Sequence, residues 1–247
     1  MVAGIRNKVA VENGTMREKS IVSWSGGKDS ALALHEILEA DRYEVLELLT
    51  TLSTEFDRIS IHGVRSLLLE QQARSLGFPL EKMLIPNGVS NEEYEASLLK
   101  VLAEGRKKGI SSVVFGDIFL QDVKEYRERL LSRAGLKSVF PLWKKDTCTV
   151  AQSFVDLGFK AVLTVVDSNF LGPEFAGREF DEKLLVDFPS NVDPCGENGE
   201  FHTFVYDGPI FGKRVRFVKG EVVFRENRFY HCDLIPATTF SDKSNMK

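Results

Sequence analysis

Ser20-Ile21-Val22-Ser23-Trp24-Ser25-Gly26-Gly27-Lys28-Asp29-Ser30, running on into Ala31-Leu32-Ala33-Leu34-His35-Glu36-Ile37-Leu38, is the stretch that decides the fold. Its first six residues are short, apolar and β-branched enough for a buried strand. Its second half carries Ala31, Leu32, Leu34, Ile37 and Leu38 at helical spacing. A strand that passes through two glycines straight into an amphipathic helix is the opening of a βαβ unit. Working outward, the alternation recurs. Residues 43–52 read as a strand, 64–76 as a helix stopped by Gly77, and 83–85 as a strand closed by Pro86. Residues 91–108 read as a helix capped by Asn91, 112–115 as a strand, 121–134 as a charged helix and 138–140 as a strand. The expected class is α/β, a doubly wound, Rossmann-like parallel sheet over 20–140.

The pattern changes after Pro141-Leu142-Trp143. A helix is expected over 149–158 and a strand over 161–166, then a loop-rich stretch over 170–195 broken by glycines and prolines. Short strands follow at 201–206, 215–218, 221–225 and 229–232, with turn signals at Asp207-Gly208-Pro209, Lys219-Gly220 and Glu226-Asn227. Residues 141–237 are therefore expected to form a smaller C-terminal α+β domain. Residues 1–19 read as a flexible extension, with Met16 as an alternative start, and 238–247 as a flexible tail.

Composition narrows the classes. The 247 residues carry a net charge of −4, which weighs against a general nucleic-acid binder. No apolar run approaches the ~20 residues that span a bilayer, and 1–19 lacks a secretory core. Cys148, Cys195 and Cys232 are too far apart for a disulfide framework or a C-x-x-C pair. These features predict a cytoplasmic protein with no membrane contact; a homodimer is open to it.

In doubly wound sheets ligands sit beyond the carboxyl ends of the strands. That singles out 25–30, 50–54 and Gly116-Asp117. Gly26 and Gly27 let the backbone approach a ligand closely, and the helix behind them offers unpaired N–H groups and the positive end of its dipole. Ser25 and Ser30 add hydroxyls, and Lys28 adds a charge. Asp29 is out of place in a simple anion site; it can cap the helix, orient amides or help hold a magnesium ion. The spacing is neither that of a Walker A loop nor G-x-G-x-x-G.

A second unusual stretch is Asp193-Pro194-Cys195-Gly196-Glu197-Asn198-Gly199-Glu200-Phe201-His202-Thr203. Glu200 and His202 lie two residues apart, so on a strand they face one side, and Glu197 can join them from the loop. Such a group can hold a metal, take a proton from an incoming amine or bind a cationic substrate. A solvated hairpin with scattered acids is the plain alternative. Asp117 is either a site residue or a helix cap. His62 is either a cap or a neighbour of a base. Arg127 lies on a charged helix, and reaches either water or a phosphate or carboxylate. Cys195 sits on an acidic loop, a poor setting for a reactive thiolate.

Ser25-Gly26-Gly27-Lys28-Asp29-Ser30 resembles the pyrophosphate loop of the N-type ATP pyrophosphatases. The run from Gly196 to Phe211 is similar to the C-terminal signature of the diphthine–ammonia ligase family and its bacterial relatives. Gly116-Asp117, Tyr126-Arg127 and Pro141-Leu142-Trp143 match that family's middle section, so the resemblance spans roughly 20–211. It implies a HUP-type domain, ATP and Mg2+ as cofactors, and cleavage between the α- and β-phosphates. A carboxylate is adenylated and ammonia displaces AMP to give an amide. The acceptor it implies is diphthine, a modified histidine of elongation factor 2, in eukaryotes and archaea, and an unassigned small molecule or protein in bacteria.

Carried over by position, Ser25, Gly26, Gly27, Lys28, Asp29 and Ser30 bind phosphate, and Lys28 and Asp29 also act in catalysis. Ser23, Thr51, His62, Gly116, Asp117 and Arg127 lie on the nucleotide side. Asp29 and Asp117 hold the metal, and Glu197, Glu200 and His202 act at the acceptor. His202 stands where other members carry an acid, and Arg58-Ile59-Ser60-Ile61-His62 lacks the family's aromatic run. Two rivals remain at this point. A tRNA- or metabolite-modifying enzyme of the same superfamily would need a basic patch or sulfur relay. A non-catalytic ATP-binding sensor would need no acidic acceptor loop.

Overall fold

The protein is described by a computed structural model over residues 16–55 and 63–237. Five strands form one parallel sheet: β1 (Glu18–Ser23), β2 (Tyr43–Ser53), β3 (Leu80–Ile85), β4 (Ser112–Val114) and β5 (Lys137–Val139), in the order β3-β2-β1-β4-β5. The helices between them are α1 (Lys28–Glu39), α2 (Ser66–Leu76), α3 (Asn91–Lys107) and α4 (Gln121–Arg133). Alternate residues of β1 bury opposite faces. Val22 joins the apolar stripes of α1 and α2, including Leu34 and Leu68; Ile21 joins Leu102 of α3 and Leu131 of α4. A sheet buried on both faces explains why its strands read as continuous apolar runs.

The chain winds outward from β1 to β3, then returns to β4 beside β1. The strand order therefore reverses between β1 and β4. Such switch points open a crevice at the carboxyl ends of the strands. Two predicted segments, 25–30 after β1 and Gly116-Asp117 after β4, meet there.

The second sheet is antiparallel, with β6 (Lys160–Asp167), β7 (Phe201–Asp207), β8 (Phe217–Arg225) and β9 (Phe229–Pro236) in the order β7-β6-β9-β8. It is accompanied by α5 (Thr147–Asp156) and α6 (Glu182–Asp187). Three local expectations change. The two strands expected at 215–218 and 221–225 are one strand, because Lys219 stays paired with Leu234 and Gly220-Glu221 form a bulge in place of the expected turn. The loop-rich stretch holds a helix, α6, capped by the Asp181 carboxylate, which accepts from the Leu184 N–H at 2.8 Å. The cap of α3 is Ser90, one residue before Asn91, in a reciprocal box with Glu93.

The two sheets share one core. A single cluster of buried residues runs from Val22 and Leu34 through Phe154, Phe159 and Phe204. Among the described residues, no helix is long and apolar enough to cross a membrane.

Candidate active site

Gly26 has φ +78°, a left-handed conformation that side chains rarely adopt. A Cβ there would also lie 2.7 Å from Leu69 and 2.8 Å from Gln72. Gly27 is the extended N-cap of α1 and has no side chain to cap it; the first helical N–H, that of Lys28, is taken by Thr203, and the helix turns the positive end of its dipole toward the crevice. The Ser25 hydroxyl accepts from the Gly27 N–H and lies 3.2 Å from the Ser30 hydroxyl, which donates to the Gly27 carbonyl at 2.9 Å. Gly116 closes the other wall. A Cβ on it would lie 2.7 Å from the carbonyl carbon of Asp29, so only glycine lets the exit of β4 pass so close to the loop.

Lys28 does not stand open to this crevice, contrary to the expectation of a cation free for phosphate. It is 3% exposed. Its ammonium donates to both Asp29 oxygens at 2.8 Å and to the Cys195 carbonyl, with the Phe180 and Phe201 rings 5.9 and 5.5 Å away. Its backbone N–H donates to Thr203 Oγ1 at 3.0 Å. Burial pushes the ammonium down, but the attraction of Asp29 and its hydrogen bonds outweigh that and hold it above the ordinary lysine value. Lys28 is a charged strut tying the glycine loop to the second sheet.

Three carboxylates gather at the mouth: Asp29, Asp117 and Glu197. Asp117 is paired with Arg127, Nε to Oδ2 at 2.9 Å and Nη2 to Oδ1 at 3.1 Å, and the guanidinium lies 4.3 Å above the Phe115 ring. Arg127 therefore belongs to the site wall. Glu197 reaches across from loop 193–200, where its Oε1 accepts the Ile118 N–H at 3.0 Å. Burial pushes this carboxyl up, and the charges of Asp29 and Asp117 add to it, to about 7. A group divided between its two protonation states at neutral pH is matched to proton transfer.

Glu200 and His202 depart from the expected arrangement. β7 begins at Phe201, so Glu200 belongs to the turn before it. Glu200 is 1% exposed, and its oxygens accept from the N–H groups of Asp193 and Asn198 and from Asn198 Nδ2, each at 3.0 Å. It staples the loop and is not presented to a substrate. Phe201 and Thr203 both face Lys28, so strand alternation puts His202 on the opposite face of β7.

Ser23 and Thr51 are half-buried near the carboxyl ends of β1 and β2, on the sheet face of Ile21 and Leu49. His62 lies outside the described residues. Cys195 is buried, and burial, its largest influence, pushes the thiol far up. No three His, Cys, Asp or Glu side chains among the described residues are arranged to hold a metal ion.

Two site residues escaped the sequence reading. Gln72 of α2 is fully buried. It accepts from Trp24 Nε1 at 3.0 Å and donates to the Gly26 carbonyl at 3.0 Å and the Val205 carbonyl at 2.5 Å, while the Val205 N–H donates to the Gly26 carbonyl at 2.9 Å. Thr203 holds the Lys28 amide. A lone glutamine on the apolar stripe of Leu68, Leu69, Ala73 and Leu76 was the available signal for Gln72.

Residues 18–138 match the family described as diphthamide synthase N-terminal domain, and 146–235 match the diphthamide synthase C-terminal domain. A diphthine–ammonia ligase of Danio rerio is 26% identical over 82% of this chain and 88% of its own length. One of Homo sapiens is 25% identical over 84% of this chain and 85% of its own length. One of Schizosaccharomyces pombe is 37% identical over 100 residues, which are 39% of this chain and 16% of that longer protein.

Proposed function

The chain belongs to the diphthamide synthase family, and from that premise we propose that it is an ATP-dependent, amide-forming ligase acting on diphthine, with ammonia as the nitrogen donor. An acceptor carboxylate oxygen attacks the α-phosphorus of ATP, and pyrophosphate leaves. Ammonia then attacks the acyl carbon of the adenylate, AMP leaves with the electron pair of the broken C–O bond, and the amide remains. The acceptor is the diphthine side chain of elongation factor 2, presented in the cytoplasm.

Glu197 carries this reading. The second sheet delivers one carboxylate to the mouth of the glycine loop, with its pKa at about 7. There it accepts a proton from ammonium, freeing the nitrogen lone pair for attack. The positive end of the α1 dipole beside Gly26 and Gly27 suits charge developing on the phosphates. Lys28 supports the site by holding the loop in register. A magnesium ion would be held by Asp29 and Asp117 together with phosphate oxygens, and would neutralise their charge. Two carboxylates suit an ion that takes most of its ligands from phosphate and water. Cys195, buried and with its thiol pushed up, argues against a sulfur-transfer reading.

Product analysis tests the proposal. Diphthine-bearing elongation factor 2, ATP and ammonium should yield AMP and pyrophosphate in step with amide. ADP and phosphate without AMP would overturn it, as would ATP bound intact with no turnover of this acceptor.

A further inference from the structure

β8 is the last strand in the order of the second sheet, and its outer edge pairs with no strand among the described residues. Residues 221–228 are all exposed. Its side chains are apolar on both faces. Val222 and Phe224 share the face of Cys232 and Tyr230, while Val223 lies on the other face with Val218 and Ile235; Phe224 is 48% and Val223 40% exposed. A long, apolar edge strand is a template for pairing that proteins normally cover or charge. The bulge at 220–221 twists the amino-terminal part of this edge but leaves Val222 to Arg225 in a regular ladder.

We infer that this edge is an interface with a second copy of the chain, β8 pairing antiparallel with β8 of the partner about a two-fold axis at Val223. The register follows from the sequence Glu221-Val222-Val223-Phe224-Arg225. Centred on Val223, it sets Val223 against its own copy, each Val222 against the other copy's Phe224, and each Glu221 against the other copy's Arg225. The strand is thus self-complementary in charge and in apolar content. Centring on Val222 or Phe224 leaves Glu221 without Arg225 opposite it, and centring on Glu221 or Arg225 sets like charges against each other. The match uses the same patch on both chains, as an isologous dimer requires, and joins two four-stranded sheets into one of eight. A five-residue ladder with apolar flanks is at the small end of specific interfaces, so the dimer is expected to dissociate on the order of micromolar.

Charge reversal tests the register in the full-length chain. Sedimentation velocity from about 1 to 200 µM should show a concentration-dependent monomer–dimer equilibrium. Glu221→Arg and Arg225→Glu should each weaken dimerisation about tenfold or more, since each turns two attractive cross-strand pairs into repulsive ones. The double variant E221R/R225E should restore it, an outcome that misfolding or general charge effects would not produce. A wild-type monomer at every concentration overturns the inference. So does a dimer indifferent to both single substitutions, or one that forms only after deletion of 238–247, which would make the tail the occupant of this edge.

Discussion

The two loops that meet at the crevice are built in opposite ways. Loop 25–30 is made by its backbone: a left-handed glycine at 26, a glycine at the N-cap of α1, and a further glycine at 116 packed against the Asp29 carbonyl. Loop 193–200 is made by its side chains, with Glu200 collecting two amides and the Asn198 side chain, and Asp193 accepting from the amides of Cys195 and Glu197. The first loop brings the positive end of the α1 dipole to the crevice. The second uses most of its acids internally and leaves one, Glu197, for chemistry. An acid in a signature therefore says little about its role until its donors are counted.

Lys28 is the only cation that touches both loops among the contacts described above, so its loss is the harshest way to break the comparison. Lys28→Met removes the partner of Asp29 and of the Cys195 carbonyl in a buried setting, where breaking an ion pair costs about 3–5 kcal/mol. Asp29 is 30% exposed, which places the expected loss toward the lower end. Urea unfolding measures it. Adding Asp29→Asn should recover part of the loss by removing the orphaned charge. A single variant as stable as wild type would mean that the two loops stand without the strut.

Glu197→Gln sharpens the contrast at its active end. Turnover should fall roughly 100-fold, the scale of general acid–base catalysis. Wild-type rate should climb as pH rises through about 7 and the carboxyl ionises; the amide variant should lose that limb. Stability carries the same signature with the opposite sense. The folded carboxyl, at about 7 against an ordinary 4.5, holds a proton that the unfolded chain has already released. Stability should therefore decline as pH rises between these values, and Glu197→Gln should flatten the decline. A variant with wild-type turnover and an unchanged pH profile would remove Glu197 from the chemistry.

The amino-terminal half was legible because local rules and tertiary outcome agree there. Strands buried on both faces read as apolar runs, α1 and α2 carry clear stripes, and Gly26 and Gly116 are dictated by backbone geometry. The second sheet was legible only in outline. Lys219-Gly220 looks like a turn, but Lys219 pairs with Leu234 and Gly220-Glu221 form a bulge opposite Asp233. Lys28 looks like a phosphate ligand in sequence, and only the approach of Cys195, Phe180 and Phe201 from the far half of the chain buries it. Glu200 and His202 read as a pair two residues apart, but the strand begins at Phe201, as its sequence indicates, and Glu200 is taken up by amides of a loop whose path the sequence does not show.

Glu200 and His202 yield the finest test, because they should behave differently although the sequence spaces them as a pair. Glu200→Gln places an NH2 group where a carboxylate oxygen meets the Asn198 N–H, leaving two donors face to face in a buried turn. The cost of an unsatisfied buried group is about 1–3 kcal/mol, and the loop that delivers Glu197 should loosen with it. Thermal unfolding should register the loss, and turnover should fall in proportion to the disordered loop, with the Glu197 pH profile unshifted. His202→Gln should do neither. Its side chain lies across β7 from Lys28, so turnover should stay within about twofold of wild type, the range of substitutions outside such features. If His202→Gln instead lost activity on the scale of Glu197→Gln while keeping its melting temperature, the acceptor would have to reach the far face of β7. The crevice between β1 and β4 would then be only the nucleotide half of the site.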